Sequence, residues 1–272
     1  MKRFNTVPYL LWMALFVVIP IAVIFFYAFT AKSASGITFS LAAFDKLLDP
    51  NVLEIIIRSF WMALVATILC LIIGYPVAYL MTKAAPRNRQ MLVVLIVLPM
   101  WMNFLLRTYA LQYLLGPTGL INTAVTALGF KALPLLFNQG AILFGMVYNY
   151  IPFMILPIYT VIDKIDNAVI EAAEDLGATR PTVFRRVILP LSLPGVLSGI
   201  TMTFMPAVST FVISALLGGG KHDLIGNLIE RQFTLLYDWH FGALLSFVLL
   251  LLILVLMNIV NRLDDLSEEN TL

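Results

Sequence analysis

EAAEDLGATRPTVFRRVILP, residues Glu171–Pro190, sets three acids ahead of three arginines in a chain whose charged residues make up 12% of the total. In a helix, Val169, Ala172, Ala173 and Leu176 follow the i, i+3, i+4, i+7 spacing and form one narrow apolar stripe. Glu171, Glu174 and Asp175 then line another face. Gly177 suits the left-handed residue that ends such a helix. Thr179 is placed to cap a second helix, and Pro181 fits its first turn, where a missing N–H costs no helical bond. That second helix is expected to run to about Leu189, with Val183, Val187 and Ile188 apolar and Arg185 and Arg186 basic. Pro190 and Pro194 should end it and turn the chain back toward apolar surroundings.

Those surroundings fill most of the molecule. The chain has 272 residues and is 61% hydrophobic, against roughly 45–50% for soluble domains, so it is a membrane protein. Its 17 basic and 15 acidic residues nearly balance, which excludes a basic nucleic-acid surface. Cys70 is the single cysteine, so neither an intrachain disulfide nor a cysteine metal cluster is available. His222 and His240 share one polar stretch without zinc-hydrolase spacing. No metal and no cofactor is expected.

A helix needs about 20 apolar residues to cross the hydrocarbon core. Six runs qualify: about Val7 to Phe29, Ser59 to Met81, Gln90 to Tyr113, Gly140 to Ile162, Leu193 to Leu217 and Phe241 to Val260. The first is longer than the roughly 7–15 residues of a signal-peptide core, so it is expected to stay as a span. With the amino terminus cytoplasmic, Lys2, Arg3, Lys83, Arg87, Arg89, Lys164, Arg180, Arg185, Arg186 and Arg262 lie inside, ten of the 17 basic residues. Both termini and the Glu171–Pro190 block are then cytoplasmic. Pro20, Pro76, Pro99, Pro152, Pro157 and Pro206 punctuate the spans and are expected to kink them, although proline is commoner in membrane helices generally.

No Asp, Glu or Lys lies deep in a span, which disfavours a proton-coupled transporter. Gly218-Gly219-Gly220-Lys221-His222 lacks the earlier glycine and the Ser or Thr of a phosphate-binding loop, so it reads as a helix terminator and flexible loop. No paired carboxylates, zinc motif or Ser-His arrangement supports an intramembrane enzyme. Two amphipathic helices on the cytoplasmic face can lie on lipid or dock a protein. The first is a poor lipid binder, because its acids are repelled by an anionic leaflet and its alanines offer little area. Small residues allow close approach, which favours a docking knob. A structural or insertion factor would also explain the helices, but not the spacing within the block.

Glu171-Ala172-Ala173, then Gly177, then Val187 and Leu189-Pro190 resembles the EAA loop of ABC importer permeases, with Val187 where Ile is usual. The resemblance implies an all-α, six-span MetI-like bundle in which the loop's first helix is a coupling helix seated in a cleft of a separate ATPase. Val169, Glu171, Ala172, Ala173, Asp175, Leu176, Gly177, Leu189 and Pro190 are the implied coupling residues. Leu47-Leu48-Asp49-Pro50, Gly74-Tyr75-Pro76, Leu98 to Asn103, Arg107-Thr108-Tyr109, Leu224 to Ile229 and Asp238 to Ala243 are similar to permeases of the spermidine/putrescine type, B class. That implies residence in the bacterial inner membrane. It also implies a second permease of the C class, two copies of the ATPase and an extracytoplasmic polyamine-binding protein. The expected organisation is a first span and outer segment (1–58), a permease core (59–261) with the coupling loop at 166–190, and a cytoplasmic tail (262–272).

Substrate contacts follow from the chemistry of a polyamine, an apolar chain with ammonium groups that favours aromatic faces and carbonyl oxygens. Trp101, Asn103 and Tyr109 are the path candidates, although Trp101 and Tyr109 also fit packing or an interfacial belt. Arg107 would repel a cation and is expected to anchor at the outer surface or pair with an acid. Asp223, Glu230 and Asp238 in an outer stretch attract cations or are simply solvated. A permease for phosphonate, iron or sulfate remains the alternative within the same architecture.

Overall fold

The computed structural model describes residues 7–33 and 36–269; Lys2 and Arg3, counted above for orientation, lie outside them. Helices α1 (Val7–Met13) and α2 (Ile19–Ala28) flank a π-helical turn at Ala14–Val18 and form the first span. An antiparallel hairpin of β1 (Thr30–Ser33) and β2 (Gly36–Phe39) follows, with Thr30 opposite Phe39. Then come α3 (Ala42–Leu47), α4 (Pro50–Lys83), α5 (Pro86–Trp101), α6 (Phe104–Leu115), α7 (Leu120–Ala127) and α8 (Gln139–Ile162). The segment expected to be the coupling loop holds α9 (Asn167–Asp175), α10 (Arg180–Val183) and the start of α11 (Leu189–Leu191). The chain closes with α12 (Leu193–Ser209), α13 (Val212–Gly218), α14 (Ile225–Thr234) and α15 (Trp239–Glu269).

Among the described residues, four helices are long and apolar enough to cross a bilayer: Pro8–Ala28, Pro50–Lys83, Gln139–Ile162 and Trp239–Val260. Two bent pairs bring the number to six when each is taken as one span: α5 with α6 and α7, bent by 92°, and Arg180–Leu191 with α12, bent by 59°. The expected third span, Gln90 to Tyr113, is therefore not one helix. Pro99 weakens the last turn of α5, Met102 is extended, and the Asn103 side chain accepts from the Leu105 and Leu106 N–H groups to start α6 afresh. The fifth also stops short of Leu217: α12 ends at Ser209, three residues past Pro206, where Thr210 turns extended. Gly218 to Gly220 end α13 as expected, with Gly219 at φ +61°.

Two helices run longer than expected. Helix α4 begins at Pro50 because the Asp49 carboxylate accepts the Asn51 N–H at 2.8 Å and Pro50 fits the first turn. Helix α15 continues to Glu269, so no break in structure separates a tail at residue 262; residues 270–272 lie outside the description.

Helices α4, α8 and α12 pack as the central trio. Close approach needs small residues: a Cβ on Gly195 would stand 3.0 Å from the Pro157 carbonyl oxygen and from Val161. The hydroxyls of Ser59, Thr67 and Thr108 donate to carbonyls four residues earlier, which satisfies them without water. Helix α2 packs along α15, with Phe25 and Phe29 each 5.6 Å from Phe247. Large apolar side chains on α1, α2 and α15 stay exposed, as a lipid-facing surface requires.

Candidate functional site

The expected coupling loop lies at the end of the trio where α4 and α8 finish. Its first helix is capped at both ends. The Asp166 carboxylate accepts the Ala168 N–H at 3.0 Å. At the other end, Gly177 N–H donates to Glu174 O at 2.8 Å and Ala178 N–H to Ala173 O at 3.1 Å. With Gly177 at φ +83°, this is the Schellman closure that glycine favours.

The expected apolar stripe splits in two. Ala173 turns inward beside Ile170, packing on the core formed by Tyr75, Met81, Ile162 and Val183. Val169, Ala172 and Leu176 remain outside, Leu176 at 90% exposure, with Glu171, Glu174 and Asp175 exposed beside them. The exposed part of the expected stripe is therefore narrower than the spacing suggested, and Ala173 packs α9 against the core. A recess of about 430 Å³ beneath α9 is lined by Tyr79, Lys83, Ile170, Glu174 and Arg180.

Thr179 takes the first-cap position of the second helix, but its hydroxyl meets Thr182 Oγ1 at 3.0 Å instead of a backbone N–H. The expected stop at Pro190 is also displaced. Arg180–Leu191 runs on through a π-helical turn at Phe184–Ile188, and the chain bends at Ser192. A proline clashes with the carbonyl four residues before it; widening the preceding turn removes the clash, and the π-turn ahead of Pro20 does the same. Leu189 is partly exposed and Pro190 half-buried.

The bend is pinned by residues that the motif does not contain. Ser192, fully buried, donates to Leu189 O at 2.9 Å and meets the Tyr75 hydroxyl at 2.8 Å. Phe184 packs edge-on against Tyr75 and Tyr79 at 5.9 and 5.3 Å. Nearby, Arg89 bridges Asp163 at 2.7 Å and donates to Ala84 O at 2.9 Å, tying α5 to the end of α8. None of these pairings is readable from spacing, since Tyr75 and Ser192 are 117 residues apart.

The path candidates bracket the break after α5. Trp101 ends α5 at 80% exposure, Asn103 caps α6, and Tyr109 projects from α6 at 48% exposure. Arg107 corrects the expectation of a surface anchor or acid pair: it is 8% exposed, its guanidinium carbon lies 5.9 Å from the Phe104 ring centroid, and Nε and Nη1 have no hydrogen-bond partner. Of the three acids expected in the outer stretch, Glu230 is exposed and two are paired among the described residues. Arg231 pairs with Asp223 and Lys46 with Asp238, the latter at 2.6 Å.

Comparison with known proteins adds a family. Residues 71–269 match the family described as the binding-protein-dependent transport system inner membrane component. The chain is 37% identical over 263 residues to the spermidine/putrescine transport system permease protein PotB of Haemophilus influenzae, covering 95% of this chain and 92% of that one. It is 38% identical over 243 residues to PotB of Escherichia coli K12, covering 88% of each. Among solved structures, a bacterial ABC transporter that imports the acidic polysaccharide alginate superposes at TM-score 0.83, with 16% identity over 98% of this chain and 95% of that one. The MetNI methionine ABC transporter superposes at 0.61, with 17% identity over 79% and 95%. At those identities the two structures speak for the fold.

Proposed function

Because this chain belongs to the inner membrane components of binding-protein-dependent transport systems, we propose that it is the permease subunit of an ABC importer that moves polyamines, spermidine or putrescine, inward. It is a transport subunit and not an enzyme; ATP is hydrolysed by a separate subunit. The observation that carries the reading is the coupling loop: a doubly capped helix that presents Val169, Ala172 and Leu176 beside three carboxylates, with no partner in the described chain. Polyamine as cargo rests on the PotB relatives, which align along nearly the whole chain.

In this reading two ATPases close on ATP and draw the seated α9 helices together. Glu171 and Asp175 orient the knob, Ala172 allows close seating, Gly177 ends it, and Leu189-Pro190 passes the movement through Ser192 to α12. The loop end is cytoplasmic, in line with Lys83, Arg87, Arg89, Arg180, Arg185 and Arg186 there. A second permease covers the exposed faces of α5 and α6, where Trp101 and Tyr109 offer ring faces to an ammonium and Asn103 shapes the break. An extracytoplasmic binding protein delivers cargo at the opposite end, and the complex sits in the bacterial inner membrane.

The test is the reconstituted complex with its ATPase, second permease and binding protein. Spermidine or putrescine is expected to stimulate ATP hydrolysis, with phosphonate, iron and sulfate inert. Stimulation by one of those three and not by polyamine would reassign the cargo; failure of a soluble ATPase to co-purify would remove the importer reading itself.

A further inference from the structure

At the end of the bundle opposite the coupling loop, α2 stops, the hairpin begins, and the link from α14 to α15 closes over them. A cleft of about 680 Å³ opens there, lined by Tyr27, Lys32, Tyr237, Asp238, Trp239 and His240. The rings of Tyr27 and Trp239 lie 6.4 Å apart, and those of Tyr27 and His240 5.4 Å. Tyr237 is 70% exposed yet holds φ +52°, a conformation that favours glycine.

Asp238 already holds an ammonium group. The Lys46 Nζ lies 2.6 Å from its Oδ2 and 5.5 Å from the centroid of the Phe241 ring, a carboxylate and an aromatic face on one cation. That is the chemistry by which a primary alkylammonium is recognised. The Lys46 side chain is 58% exposed and that of Asp238 29%, and an ion pair this open to water is weak enough for another ammonium to replace. Partial burial raises the Asp238 pKa, but the hydrogen bonds from Lys46 and from the Phe241 N–H outweigh it and hold the carboxyl below its ordinary value. The group is therefore a carboxylate throughout the neutral range. Of the other basic side chains nearby, Lys32 is an exposed rim residue, and His240 Nδ1 faces the Tyr27 carbonyl oxygen at 3.1 Å.

We propose that this cleft is a receiving subsite for one ammonium end of the polyamine, with Asp238 as counter-ion, Tyr237 and Trp239 as ring faces, and Lys46 as the built-in competitor that the incoming ammonium displaces. The inference rests on the polyamine reading above and adds a place for first contact. The alternative occupant of such a face, the binding protein itself, is distinguished by the test.

The assembled complex in lipid nanodiscs, without binding protein, is titrated with spermidine and read by saturation-transfer NMR, with n-butylammonium as competitor. Asp238→Asn is the key variant, because asparagine retains the cap on the Phe241 N–H, now 3.1 Å from Asp238 Oδ1, while losing the charge. It is expected to weaken spermidine binding about tenfold or more. Lys46→Met is expected to tighten it several-fold, and Tyr237→Gly to weaken it several-fold while relieving backbone strain. Butylammonium should compete, since one ammonium fills the site. The inference is overturned if wild type imports polyamine but gives no spermidine signal. It is overturned equally if Asp238→Asn matches wild type, if Lys46→Met weakens binding as Asp238→Asn does, or if, in a second titration with the binding protein added, Asp238→Asn weakens its affinity while spermidine binding stays at the wild-type level. A wild-type complex that imports a different solute and no polyamine would instead defeat the functional reading.

Discussion

Gly177 holds its φ of +83° in open space, with no atom within 4 Å of where a Cβ would stand. Substitution there meets backbone strain of about 1–2 kcal/mol and no clash. Gly177→Asp is accordingly expected to leave the complex assembled by size-exclusion chromatography while substrate-stimulated ATP hydrolysis drops several-fold. Full assembly with full coupling would remove α9 from the drive. Leu176 makes the complementary case. At 90% exposure it contributes nothing to the fold of this chain, whereas burying it on an ATPase contributes about 1.5–3 kcal/mol. Leu176→Ala should leave the melting temperature of the isolated subunit unchanged and weaken ATPase binding about tenfold in a pull-down titration. Gly177 was legible in the sequence because a helix must stop there and only glycine does so without strain. The inward turn of Ala173 was not legible: a stripe of small apolar residues carries no mark of which neighbour, Ile170 or Leu176, sides with the core.

The bend between Arg180–Leu191 and α12 depends on an asymmetric pair. Ser192 already gives its proton to Leu189 O, so the Tyr75 hydroxyl is the donor in the contact between them. Removing the tyrosine hydroxyl leaves Ser192 bonded; removing the serine hydroxyl strands a buried phenol. Tyr75→Phe is therefore expected to cost about 1 kcal/mol and Ser192→Ala about 1–3 kcal/mol, compared by thermal unfolding of the purified complex. The reverse order would mean that the pair does not pin the bend. The break after α5 shows why helices were read more surely than their ends. Leu98 to Met102 is apolar throughout, so a search for about 20 such residues runs straight across a 92° bend. The signals that mark it, Pro99 and the Asn103 cap, are local and were hidden inside a run that satisfied the longer criterion. Arg89 and Asp163, 74 residues apart, gave no local signal at all.

The assembled bundle satisfies nearly every polar group it buries, which makes the exceptions informative. Among the described residues, the buried side-chain atoms without a partner are Arg107 Nε and Nη1, Asn149 Oδ1 and Thr203 Oγ1, all carried by α6, α8 and α12. An unpaired neutral group in such a place costs about 1–3 kcal/mol, and a charged one more. Arg107 carries the charged group among these exceptions, and the face of Phe104 lies against its guanidinium. Replacing it with an unbranched apolar side chain of similar length removes two unpaired donors and keeps the packing of the stem. Arg107→Met is expected to raise the thermal stability of the isolated subunit in detergent by at least about 1 kcal/mol, whereas Thr203→Val, which removes a neutral hydroxyl at nearly constant volume, should gain less. A fall in stability for Arg107→Met would mean that the guanidinium finds an acceptor in the folded chain that this geometry does not contain. A rise places the cost of keeping a buried cation outside the folding of this chain, in the working of the complex.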